Sequence, residues 1–221
     1  MATLAEELKV LQGHEMSHMP EDVLKRIASI TKELIAGEIE KNALGIGDPF
    51  PDFELSNTDG EVVTIPSLLE KADAVVINFY HGQWCPFCNY EINAYQQVMS
   101  KIRALRATFV GISPQLPDHA FSPREKRRLN FDVLFDKSNE LAKRLGIVFE
   151  LKGPLKDVYS EFGYDIPECN GDDTWQLPIS STYIVNKSGD IAQCFVDADY
   201  VHRTDPQQVL RILELMMKGR H

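Results

Sequence analysis

The residues with the clearest chemistry are Cys85 and Cys88, in the run Trp84-Cys85-Pro86-Phe87-Cys88. Ahead of them, Ala74-Val75-Val76-Ile77-Asn78-Phe79-Tyr80 is a short apolar run of the kind that forms a buried parallel strand. Behind them, the stretch from Asn89 to Met99 reads as a helix. Cys85 is therefore expected at the mouth of a strand-to-helix turn. Unpaired N–H groups and the positive end of the helix dipole favour a thiolate there. The thiolate is the nucleophile, and such settings lower a cysteine pKa from about 8.5 to roughly 3.5–7.5. Cys88, one turn on, falls on the same helix face within reach of the Cys85 sulfur. The pair can cycle between dithiol and disulfide, and Pro86 suits a first turn, where its missing N–H costs nothing.

Half a zinc site and two packed cysteines are the competing readings of C-x-x-C. A structural zinc site takes a second ligand pair at similar spacing. The other cysteines, Cys169 and Cys194, are isolated in sequence, so redox chemistry is expected and no metal site is assigned. Trp84 reads as a wall over the sulfur, open to a partner, or as plain packing. His81, four residues before Cys85, stabilises the thiolate or is a loop residue. Cys194 reads as core. Cys169 sits in a polar loop, where a second resolving role is conceivable. Arg203 is expected to pin the last helix, with substrate neutralisation the second reading; His119 and His202 stand outside any motif.

Composition narrows the classes. The 221 residues suffice for one sizeable α/β domain with appendages. A net charge of −10 argues against a nucleic-acid partner. The one basic cluster, Arg124-Glu125-Lys126-Arg127-Arg128, reads as a solvated helix face. No apolar run approaches a membrane-spanning length, and the first residues carry neither the basic start nor the apolar core of a secretory signal. Four cysteines do not make a disulfide scaffold, so a cytoplasmic setting is expected.

Residues 1–43 read as a helical arm. Leu4, Leu8 and Leu11 mark one helix, and Val23, Ile27, Ile30, Leu34 and Ile35 a second, opened by Pro20-Glu21-Asp22. Gly13 and Pro20 are expected to bracket a break. Inside it, His14-Glu15-Met16-Ser17-His18 matches the H-E-x-x-H pattern of zinc metalloproteases, which needs a continuous helix and a third ligand; a solvated turn is expected instead. The arm packs on the main domain or on a second subunit, the latter giving a homodimer.

The main domain is expected over 44–221. Phe53–Leu55 and Val62–Ile65 read as a hairpin, and Ser67–Leu69 as the start of a short helix. The helix after the cysteines runs to about Ala107. Thr108–Ser113 is a second buried strand that closes a right-handed β-α-β unit. Residues 116–129 are loop and helix, Phe131–Phe135 is a strand, and Asn139–Leu145 and Leu155–Phe162 are short helices. Gly163–Pro178 reads as a long loop. Thr182–Val185 and Ile191–Val196 form a final hairpin, and Asp205-Pro206 opens the last helix. This order gives a mixed sheet with helices on both faces.

Several of these segments together resemble a known family. Gly47-Asp48-Pro49-Phe50-Pro51-Asp52-Phe53, the Asn78-Phe79-Tyr80 strand, the C-x-x-C turn, Ile112-Ser113-Pro114 and the Thr182–Asp190 hairpin resemble the thioredoxin fold. With Asn170-Gly171-Asp172 and Asp199-Tyr200, the chain resembles the peroxiredoxin-like branch of the alkyl hydroperoxide reductase / thiol-specific antioxidant (redoxin) family. The resemblance implies a thioredoxin-like α/β fold: a central mixed β-sheet flanked by helices, with an N-terminal helical extension. It implies thiol-based reduction of peroxides or disulfides, with Cys85 attacking, Cys88 resolving, an external thioredoxin- or glutathione-type thiol as electron donor, and no bound cofactor. The sequence departs from the family at defined points. The proline and threonine of P-x-x-x-T-x-x-C, counted back from Cys85, are Asn78 and Gly82. The position of the thioredoxin cis-proline holds Ser180, with Pro178 two residues earlier, and the peroxiredoxin arginine near this point is absent. Asn78 stands where thioredoxin has its buried proton-transfer acid. Three functions remain open: a peroxidase, a protein disulfide oxidoreductase, and a redox-sensing module.

Overall fold

The structure is a computed structural model that describes residues 2–117 and 129–219. The helix expected within 116–129 and the basic cluster Arg124–Arg128 lie outside the described residues, apart from the ends of that span.

The N-terminal residues wind into α1 (Leu4–His18) and α2 (Glu21–Ala36), followed by a 3-10 turn at Ile39–Asn42. A capping box between Thr3 and Glu6 starts α1. The expected break at Gly13 is not there: α1 runs through Gly13 and stops at Met19, ahead of Pro20. A lone helical glycine costs only about 1 kcal/mol, whereas a residue before proline is driven out of the α region. His14 and His18 are thus one turn apart on a helix, ring centroids 4.6 Å from each other. Both are exposed, and the His18 Nδ1 lies 2.8 Å from the His14 carbonyl oxygen. The arm packs on its own main domain: Leu4 and Leu8 are buried in the core beside the helix that follows the cysteines.

Then follow β1 (Glu54–Asn57), β2 (Val62–Thr64), α3 (Ile65–Lys71), β3 (Ala74–Phe79), α4 (Pro86–Ala104), β4 (Ala107–Ser113), β5 (Asp132–Phe135) and α5 (Glu140–Arg144). After these come β6 (Val148–Glu150), α6 (Pro154–Glu161), α7 (Ile166–Asn170), β7 (Gln176–Pro178), β8 (Ser181–Asn186), β9 (Ile191–Val196) and α8 (Pro206–Lys218). Seven strands form one mixed sheet in the order β2-β1-β5-β4-β3-β8-β9, with β3 parallel to β4 and antiparallel to β8. The stretch expected as one long loop, Gly163–Pro178, instead holds α7 and β7; β7 pairs with β6 in a separate two-stranded ribbon.

The central strand β3 is buried along its whole length. Its side chains alternate between two cores. Val75, Ile77 and Phe79 pack with α3 and α5, while Ala74 and Val76 pack with α1, α4 and α8. The arm also enters the second half of the molecule at Gly146, whose φ is +74°. A Cβ there would lie 2.1 Å from the Asn42 carbonyl oxygen. Gly146→Ala adds the cost of left-handed backbone, about 1–2 kcal/mol, to overpacking of about 1–3 kcal/mol. Urea unfolding of this variant is expected to show a loss near 3 kcal/mol.

Candidate active site

The cysteine turn is held from below by β4. The Tyr80 N–H donates to the Ile112 carbonyl at 3.0 Å, and the Ser113 hydroxyl donates to the His81 carbonyl at 3.2 Å. Gln115 accepts the Gln83 N–H at 2.6 Å, and the Asn89 side-chain amide donates to the Gln83 carbonyl at 2.7 Å. Gly82 is required where the turn crosses the indole: with φ +157°, a Cβ would meet Trp84 Nε1 at 2.6 Å. These ties leave Cys85 as the N-cap of α4, with Pro86 first in the helix and Cys88 one turn on.

Both sulfurs are buried, Cys85 at 4% exposure and Cys88 at 0%. The sulfurs and an imidazole nitrogen of His81 all lie within 4.8 Å of one another. The charge is not where the helix dipole alone would put it. Burial pushes the Cys85 thiol well up, and its hydrogen bond to Cys88 adds to this. Burial also acts to raise Cys88, but the hydrogen bond from Cys85, the Arg203 guanidinium and His81 outweigh it and hold that thiol well below its usual value. Arg203 Nη2 donates to the Cys88 sulfur at 3.8 Å. A proton shared by the pair is therefore held more tightly by Cys85 than by Cys88. The sequence places the thiolate on Cys85 from the helix N-terminus alone; in the fold the Arg203 guanidinium, 115 residues beyond Cys88, also acts on the pair.

A buried polar network lies behind Cys88. Arg203 Nη1 donates to Glu91 at 2.9 Å, both side chains 1% exposed. The Asn78 amide donates to the other Glu91 oxygen at 2.9 Å and to the Thr182 hydroxyl at 3.1 Å. The carboxyl absent at position 78 is thus supplied from α4, one side chain away. Burial pushes Glu91 up to about 7, against the pull of Arg203. The folded value exceeds the ordinary 4.5, so this group's contribution to stability is complete below about 4.5 and is lost as pH rises through about 7. Unfolding free energies of the native protein and Glu91→Gln, measured by urea titration from pH 4.5 to 8, are expected to shift steadily in favour of the variant across that window.

Above Cys85 opens a cavity of about 300 Å³. Its walls are mainly apolar and aromatic: Phe149, Leu155 and Tyr159 on one side, Ile27, Ile30 and Leu34 of α2 as a roof. Trp84 is half-buried and packs on Tyr159 (5.6 Å) and Tyr164 (5.3 Å), with its ring stacked on His81 at 5.9 Å. An exposed docking tryptophan is therefore not what the fold presents. His81, Trp84, Cys85, Pro86 and Ser180 all line this cavity, and Cys88 lies directly behind. Ser180 is 6% exposed, and its hydroxyl has no hydrogen-bond partner among the described residues. Cys169 and Cys194 are half-buried elsewhere and outside the cavity.

Two residues of this network differ in how far the sequence points to them. Glu91 left a signal: it falls three residues after Cys88 on the face shared with Ile92 and Tyr95, where a carboxylate needs a buried partner. For Arg203 the sequence offers pinning of α8 first and substrate neutralisation second, and nothing local to it points at the cysteines.

Residues 46–194 match the model of the AhpC/TSA family. A Methanococcus vannielii peroxiredoxin is 30% identical over 117 residues, 49% of this chain and 52% of the relative. A Helicobacter pylori relative, provisionally assigned as peroxiredoxin bcp, is 29% identical over 155 residues, 69% of this chain and 88% of the relative. The chain thus spans about half the length of the first and most of the second. The crystal structure of peroxidoxin BcpB from Mycobacterium tuberculosis superposes with a TM-score of 0.57 at 20% identity, covering 78% of this chain and 97% of that one. The chain belongs to the AhpC/TSA family and is a peroxiredoxin-like member of it, with the thioredoxin-type fold of its structural neighbours.

Proposed function

We propose that this chain is a thiol peroxidase working through a Cys85/Cys88 dithiol–disulfide cycle. The observation that carries it is the placement of a charged, Arg203-bonded cysteine pair at the floor of a cavity that reaches Cys85. The peroxide enters along the cavity wall. The Cys85 proton passes to Cys88 through their mutual hydrogen bond, and the Cys85 sulfur attacks the distal peroxide oxygen. The O–O bond breaks, Cys85 becomes a sulfenic acid, and the leaving alkoxide takes a proton from solvent. Cys88 then attacks the Cys85 sulfur; the Cys88 proton passes to the departing hydroxide, so that water leaves and the disulfide closes. An external thiol donor, one thioredoxin-type dithiol or two glutathione-type monothiols, returns two electrons. Ser180 and His81 face the reacting oxygens from the cavity wall. The cytoplasm, which supplies such thiols, is the compartment this cycle fits.

The apolar lining favours organic hydroperoxides. With reduced protein and a thiol-regenerating system, kcat/KM for cumene hydroperoxide is expected to exceed that for hydrogen peroxide by at least about tenfold. Peptide mapping after one turnover is expected to find the 85–88 disulfide. Peroxide consumption without that disulfide, or insulin reduction without peroxide consumption, overturns the proposal.

A further inference from the structure

We propose that the reduced protein binds one zinc ion at His81, Cys85 and Cys88, and that peroxide and zinc compete for the same dithiol. Among the described residues these three alone bring three ligand atoms of the kinds metals take together, all within 4.8 Å. Two thiolates and an imidazole form a Cys2His set, the composition of zinc sites with three protein ligands and one open position. The set suits a soft or borderline ion and not the oxygen-seeking magnesium or calcium. Tetrahedral coordination at bond lengths of about 2.0–2.3 Å draws the three atoms inward only slightly. Cys85 and His81 both line the cavity, which gives the ion an entry path and leaves the fourth position facing it.

The electrostatics do not oppose this despite the neighbouring cation. Arg203 is already matched by Glu91 at 2.9 Å, both buried. The charge left in the pocket is that of the sulfurs, and two thiolates neutralise a divalent ion. Arg203 Nη2, donating to the Cys88 sulfur at 3.8 Å, becomes an outer-shell donor to a ligating thiolate, the arrangement that orients and tunes metal ligands. C-x-x-C by itself offered only half a site in the sequence. The missing ligand is His81, which the turn folds back over the pair, with its ring stacked on Trp84.

Binding releases any thiol proton still present to solvent. A zinc-held pair can neither attack peroxide nor close a disulfide. Conversely, oxidation by peroxide removes two electrons from the sulfurs, which join; the peroxide takes those electrons and two protons, giving alcohol and water, and the ion leaves still divalent. Binding needs only the reduced thiols; the competition rests on the proposed peroxidase cycle.

The test is a titration of the reduced full-length chain with Zn2+ against a chromophoric chelator, together with the absorption spectrum of the Co2+-loaded protein. One ion per chain and a thiolate-to-cobalt charge-transfer band are expected, both lost when the 85–88 disulfide forms. Cys88→Ser is expected to lose the band. His81→Asn is expected to weaken zinc by more than about tenfold, since loss of even an outer-shell partner costs that much. Retention of zinc by the oxidised chain places the ion elsewhere and overturns the site without requiring any variant to fold. Unchanged affinity in His81→Asn reduces the site to a bare dithiol and also overturns it. Zinc binding as expected in a chain inert to peroxide keeps the site and removes only the proposed function.

Discussion

Cys85→Ser is expected to lower peroxide consumption by at least about three orders of magnitude, while Cys88→Ser still completes a single turnover that stops at the sulfenic acid. A nucleophile has no substitute within the site, so its removal leaves only background reaction. Cys85 alone of the two sulfurs lines the cavity. With Cys88 as serine, the sulfenic acid on Cys85 has no thiol beside it to expel water, and it persists. Dimedone labelling and intact mass after one equivalent of peroxide read the two cases apart: one adduct per chain in Cys88→Ser and none in Cys85→Ser. Steady turnover by Cys85→Ser would move the attacking role to Cys88, whose thiol Arg203 holds below its usual value. Because both sulfurs sit in a packed site, the two serine variants are expected to keep native far-UV circular dichroism.

Arg203→Leu is expected to be the most damaging substitution outside the cysteines. It strands Glu91, 1% exposed, as a buried carboxyl without its cation. Breaking a buried pair from one side costs about 3–5 kcal/mol, eased here because Glu91, raised by burial and now without the cation that lowers it, takes up a proton more readily. It also removes the guanidinium from the Cys88 sulfur, so the thiolate's ultraviolet absorbance should titrate at higher pH. The double variant Arg203→Leu/Glu91→Leu separates these effects. Unfolding free energy is expected to recover, since replacing both ions by apolar groups is often near neutral. The upward shift of the thiol is expected to remain. Recovery of both would mean that Arg203 acts through the fold and not on the sulfur.

The contrast between these two predictions shows what the sequence made legible. The cysteine pair, the buried strand ahead of it and the helix behind it were readable because each is a local pattern: an apolar run, a C-x-x-C, and a helix opened by Pro86. The mixed sheet followed from the order of such segments. The misread places depend on distant partners. β6 and β7 are three residues each and pair across an intervening helix pair, so neither has a period to detect. α7 is a single capped turn, Asp165 accepting the Glu168 N–H. A local reading of the cysteines sees the helix N-terminus alone, whereas in the fold Arg203, from the segment before α8, also acts on them. The cavity roof likewise comes from α2, whose apolar face shows in the sequence although its target does not.

Rapid mixing of the reduced protein with cumene hydroperoxide, followed by tryptophan fluorescence, tests the central claim most directly. Trp84 adjoins Cys85 and stacks on His81, so loss of the sulfur charge and closure of the disulfide should each change its emission. The account predicts a fast phase that saturates at one equivalent, a slower second phase absent from Cys88→Ser, and no signal in Cys85→Ser or Trp84→Phe. An unchanged signal over minutes, in protein that still forms the 85–88 disulfide with oxidised glutathione, would contradict peroxidase chemistry and leave thiol–disulfide exchange as the activity of the pair.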